Sequence, residues 1–76
     1  MSMKNLYIKI NGIADVSHFV QAATQVEGDV IVTKGQYAVD GKSLLGMFSI
    51  DPSSGVTVKY PEGEETFENF ITQYKA

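Results

Sequence analysis

Between Asn5 and Val16 the hydrophobic period of the chain lengthens from two to nearly four, and this change restricts the folds open to it. Leu6, Ile8 and Ile10 alternate with Tyr7 and Lys9, the pattern of a strand with one buried face. Asn11-Gly12 interrupts that pattern. Val16, Phe19, Val20 and Ala23 then recur at i, i+3, i+4 and i+7, a single apolar stripe along a helix, with Asp15 placed as its N-cap. The stripe predicts a helix running to near Gln25 and leaving through Glu27-Gly28.

The remaining elements follow by the same reasoning. Asp29-Val30-Ile31-Val32-Thr33 and Gln36-Tyr37-Ala38-Val39 are rich in β-branched and aromatic residues. Only Lys34-Gly35 separates them, which predicts a tight hairpin with Gly35 at positive φ. After the turn Asp40-Gly41-Lys42, Ser43 is placed to cap a short helix over Leu44 to Phe48. Asp51-Pro52-Ser53-Ser54-Gly55 has loop composition. Val56, Val58 and Tyr60 alternate with Thr57 and Lys59 as a last strand. Glu64-Glu65 open a helix with an apolar stripe of Phe67, Phe70, Ile71 and Tyr74, and Lys75 at its end suits the dipole. The order is β-α-β-β-α-β-α. Right-handed crossovers then place three helices on one face of a four-stranded antiparallel sheet, an α+β open-faced sandwich. With 76 residues there is room for one domain, 1–76. Leu6, Ile8, Ile10, Val16, Phe19, Val20, Phe67, Phe70 and Ile71 are expected to share its core.

Composition excludes several kinds of chemistry. With no cysteine, the chain has no disulfides, thiolate metal sites or cysteine nucleophile. Its single histidine forms no histidine cluster, so neither a metal nor a cofactor is expected. Six lysines, without any arginine, stand against nine acidic residues for a net charge of −3. No basic surplus is present to displace counterions from a phosphate backbone, so nucleic acid is not an expected partner. The apolar runs are too short for a membrane span, and no charged-then-apolar leader precedes Lys4. The expectation is a soluble, cytoplasmic protein.

Gly41-Lys42-Ser43 imitates the end of a P-loop, but Gln36 occupies the place of the motif's first glycine and the preceding segment is a hairpin strand. His18 lies beside the apolar stripe of the first helix with no Asp or Ser positioned to activate it, and reads as a partly exposed structural residue. Glu62, Glu64, Glu65 and Glu68 read as a solvated face at a helix start. No enzyme mechanism can be assembled from these groups. Leu44, Leu45, Met47 and Phe48 are more informative. A five-residue helix cannot bury four large apolar side chains, so some must be exposed, and an apolar patch with Met and Phe beside a capping serine suits a protein partner.

These residues together resemble a known family. The element order, Asn11-Gly12, the Thr33-Lys34-Gly35 hairpin and the run from Gly41 to Ile50 are similar to HPr, the histidine-containing phosphocarrier protein of the bacterial sugar phosphotransferase system. The similarity extends from Lys4 to Tyr74. Its most specific piece is Lys42-Ser43-Leu44-Leu45-Gly46-Met47, which looks like the family's regulatory serine site. The resemblance makes Ser43 a candidate for regulatory phosphorylation, with Leu44, Leu45 and Phe48 as docking residues. It also marks a departure. The family carries its phosphorylatable histidine after an Asn-Gly-Leu-type turn, followed by an arginine; here Ala14 stands in its place and the loop is about two residues shorter.

His18 comes about one turn later, away from the helix N-terminus that would hold a phosphoryl group, and Asp15 is expected to occupy the free N–H groups there. The resulting expectation is a non-enzymatic HPr-like protein without phosphate on histidine. It would act as a regulatory or adaptor module on partners of the phosphotransferase or catabolite-regulation type. The alternatives are a phosphocarrier using His18 or Asp15 as an unusual acceptor, and a structural accessory domain in which Ser43 is only a cap.

Overall fold

The computed structural model describes residues 2–76. Its elements are β1 (Met3–Ile8), α1 (Ile13–Thr24), β2 (Ile31–Lys34), β3 (Tyr37–Asp40), α2 (Leu44–Ser49), β4 (Val56–Pro61) and α3 (Glu65–Thr72), with a 3₁₀ turn at Pro52–Ser54. The four strands form one antiparallel sheet in the order β1-β4-β2-β3. This is the α+β open-faced sandwich and the element order expected from the sequence.

Register decides which side chains share a face. Leu6, Val58, Val32 and Val39 lie opposite one another across the four strands, with Ile8 opposite Val56 in the next inward row. All but Leu6 and Val39 are buried, and those two pack against the margin of the same cluster. Val16, Phe19 and Ala23 of α1, Met47 of α2, and Phe67 and Ile71 of α3 complete it, so the three helices cover one side of the sheet. Phe67 is the aromatic centre. Its ring meets Phe19 edge-on at 5.7 Å and Tyr60 at 5.5 Å, the arrangement that aromatic quadrupoles favour. The opposite face, with Tyr7, Thr33, Ala38 and Thr57 in one row, carries no helix. The nine expected core residues all belong to this cluster, with Leu6, Val20 and Phe70 at its edge.

Several local expectations need correction. β1 ends at Ile8, and Ile10 enters the core from the following loop, where its N–H donates to the Pro52 carbonyl. The hairpin loop is Gly35-Gln36, one residue later than expected, because Lys34 pairs with Tyr37; Gly35 has φ +59°. Lys75 lies beyond α3, at an isolated bridge to Ile8, and therefore does not serve the helix dipole. Glu68 is not simply solvated: its carboxylate lies 2.6 Å from Lys4 Nζ and accepts a hydrogen bond from the Tyr60 hydroxyl.

Candidate functional site

Ser43 builds the start of α2. Its backbone is extended, and its hydroxyl accepts a hydrogen bond from the Gly46 N–H at 3.1 Å, satisfying a donor that the short helix would otherwise leave unpaired. Gly46 lets α2 lie close to β3, because a Cβ there would sit 3.3 Å from Val39 Cβ and 3.4 Å from the Asp40 carbonyl. Lys42, just before the cap, turns its ammonium onto the Val26 carbonyl at 2.9 Å, which ties α2 to the exit of α1. The lysine and serine of the apparent P-loop ending are thus both committed to structure.

Met47 anchors this helix. It is 0% exposed, within the core cluster, so it is not part of a partner-binding surface as expected from the sequence. The reason is helical geometry. Each residue advances about 100° around the axis, so Leu44, Phe48 and Leu45 fall within an arc of about 100°, and Met47 lies on the side turned to the protein. Leu44 and Phe48 keep 44% and 43% of their surface exposed, and Leu45 keeps 83%. Sequence reasoning missed Ile13, which is also exposed, at the first turn of α1, the helix that packs beside α2. It stands three residues before Val16 on the same stripe, but at the helix end the stripe runs past the core.

The N-terminus of α1 differs from the expectation. Gly12, at φ +89°, is the N-cap residue, and no side chain caps the helix. Asp15 is inside the first turn, too late to act as N-cap, and it does not occupy the free N–H groups. Burial, and then the neighbouring Asp15 carboxylate, hold the Tyr74 hydroxyl above its ordinary pKa. Ala14 is exposed in the first turn, and His18 is exposed as the sixth residue of the helix. Among the described residues, no group of three His, Cys, Asp or Glu could hold a metal ion. No helix of the described chain is long and apolar enough to cross a membrane.

Comparison with solved structures bears on this arrangement. The crystal structure of HPr-C-His from Thermoanaerobacter tengcongensis superposes with a TM-score of 0.72 at 23% sequence identity, over 96% of this chain and 89% of that one. This is the HPr fold. The phosphocarrier protein HPr from Bacillus anthracis str. Ames matches equally well, with a TM-score of 0.71 at 22% identity over 97% of this chain and 96% of that one. No family model matches the sequence, and no curated protein matches it. The HPr fold is therefore shared at 22–23% identity, as expected when a core keeps its pattern of apolar positions while many of their identities change.

Proposed function

We propose that this chain is an HPr-like protein of the phosphotransferase-system type that serves as a regulatory or adaptor module, not an enzyme. It binds protein partners through α2 and does not carry phosphate on histidine. One observation carries the reading: in an HPr fold, Leu44, Leu45 and Phe48 present an exposed apolar surface on a helix capped by Ser43, while Ala14 stands at the start of α1. Partners of the phosphotransferase or catabolite-regulation type, and a cytoplasmic location, go with this reading.

Ser43 is the regulatory position in this proposal. A phosphate there would stand at the positive end of α2 and add nearly two negative charges beside the apolar surface. Docking of an apolar or acidic partner would weaken, and that of a basic partner would strengthen.

A second reading, a phosphocarrier with His18 or Asp15 as acceptor, draws on the absence of a side-chain cap at α1. Incubating the protein with phosphoenolpyruvate and the general phosphotransferase enzyme, followed by intact-mass analysis at neutral pH, separates the two. The adaptor reading expects no adduct. An acid-labile phosphoryl adduct that disappears in the His18→Ala or Asp15→Asn variant overturns it.

A further inference from the structure

β3 is an outer strand with only β2 beside it. The two-residue loop Gly35-Gln36 is closed by the Lys34–Tyr37 pair. In such a hairpin the closing pair exchanges both hydrogen bonds, and antiparallel alternation makes Val32–Val39 the next bonded pair. The N–H and C=O of Ala38 therefore point away from β2, into space with no neighbouring strand. The Asp40 carbonyl, on the same outer side, already accepts from the Ser43 N–H at 3.0 Å. The edge thus offers both backbone groups of Ala38 and the N–H of Asp40.

Two hollows flank this edge on opposite faces of the sheet. On the helix side, a cleft of about 690 Å³ lies between β3 and the end of α2, with Lys34, Tyr37, Val39, Ser49, Ile50 and Asp51 in its walls. Tyr37 leaves 75% of its surface exposed there. On the open face, a smaller hollow of about 300 Å³ is lined by Asp29, Ile31, Ala38, Val39 and Asp40. It contains two carboxylates and no cation. Among the described residues the sole ion pair is Lys4–Glu68, so neither Asp29 nor Asp40 is neutralised by a salt bridge.

We propose that β3 is a docking edge for an extended segment of a partner protein in which an apolar residue is followed by a lysine or arginine. Successive side chains of a strand point to opposite faces, so the apolar residue enters the cleft beside Tyr37 and Val39, and the basic one reaches Asp29 and Asp40. Hydrogen bonds to Ala38 supply the sequence-independent part of the binding, and the two hollows supply selection. This surface lies on β3 and does not depend on the function proposed for α2. A second copy of the chain fits less well. Pairing β3 with itself about Ala38 sets Gln36, not a base, opposite Asp40, and two chains of net charge −3 repel.

The test is an amide chemical-shift titration of the full chain with two end-blocked heptapeptides, one alternating valine and lysine, the other valine and glutamate. The expected result is saturable shifts at Ala38, Val39, Asp40 and Ile50, with the lysine peptide bound at least about tenfold more tightly at low salt. Ala38→Pro removes an outward N–H at an edge position, where proline is tolerated, and should abolish these shifts. The Asp29→Asn/Asp40→Asn pair keeps every backbone group and should reduce the preference to less than about twofold, which decides the matter even if Ala38→Pro does not fold. Equal binding of both peptides, shifts confined to α2, or the absence of saturable binding overturns the proposal. So does a dimer in sedimentation velocity that Ala38→Pro dissociates, since this assigns the edge to a second copy.

Discussion

Lys4 on β1 places its ammonium 2.6 Å from the carboxylate of Glu68 on α3, and the same carboxylate accepts the Tyr60 hydroxyl. The arrangement fastens an edge strand to the last helix. The Lys4 hydrogen bond, then that of Tyr60, holds the Glu68 carboxyl below its ordinary value of 4.5, and Glu68 raises Lys4 above 10.5. Burial, then the Glu68 bond, pushes Tyr60 up to about 12. A depressed carboxyl stabilises the fold above its unfolded pKa and loses that contribution as pH falls through its folded value. Raised Lys and Tyr groups contribute below their unfolded values and lose this as pH rises through the folded ones. Urea melts of wild type and Glu68→Gln should therefore differ by a constant amount from neutral pH to about 9. The difference should shrink on acidification below 4.5, and again on the alkaline side above the ordinary tyrosine value of 10.0. A difference independent of pH from 3 to 11 would refute the linkage.

Met47 and Leu45 lie two residues apart on α2 and differ completely in environment. Met47→Ala empties a fully buried site and should destabilise the protein by about 2–5 kcal/mol in urea denaturation. Phe19→Ala, also fully buried and packed edge-on against Phe67, should cost about 3–5 kcal/mol, most of the margin of so small a fold. Leu45→Ala should change stability by no more than about 0.5 kcal/mol, since its side chain is largely in water. A Leu45→Ala variant as destabilised as Met47→Ala would show that the exposed face of α2 is part of the core.

Gly55 is required twice over. Its φ is +104°, and a Cβ there would lie 1.9 Å from the Tyr7 hydroxyl oxygen on the open face of the sheet. Gly55→Ala should therefore cost about 1–3 kcal/mol from backbone strain, plus the displacement of Tyr7. Removing the ring with Tyr7→Ala should relieve the second part alone. A double-mutant cycle measured by urea melts should give a favourable coupling between the two substitutions, and strict additivity would show that Tyr7 swings aside freely.

The elements that the sequence revealed are those in which burial enforces a period. The stripes of α1 and α3 and the alternation of β4 could be read because each buries one continuous face. Val30 and Ile50 are equally buried, but they lie in loops where no period announces them, whereas Ile10 could be read because it continues the alternation of β1 past the strand's end. At the candidate site, the Ser43 cap was legible because the bond is local, three residues apart. The environments of Met47 and Asp15 were not. In a helix as short as α2, composition shows that some apolar residues must be exposed, but the rotation that selects them is set by Gly46 against Val39, a contact between elements. The start of α1 was misplaced because the positive φ of Gly12 lets the helix begin two residues before Asp15.

Ser43 allows its structural and regulatory roles to be separated by chemistry. Ser43→Ala removes the acceptor for the Gly46 N–H and should cost about 0.5–2 kcal/mol by urea denaturation. Ser43→Asp keeps an acceptor at the cap and adds a negative charge at the positive end of α2, so its stability should stay within about 0.5 kcal/mol of wild type. The two variants should diverge again at the surface formed by Leu44, Leu45 and Phe48. Ser43→Ala leaves the charge beside these side chains unchanged, whereas Ser43→Asp adds one that any partner covering them must desolvate. Comparative pull-downs should therefore recover the same proteins with wild type and Ser43→Ala, and a different set with Ser43→Asp. Identical recoveries from all three, with Ser43→Ala alone destabilised, would reduce Ser43 to a helix cap and remove the regulatory part of the proposed function.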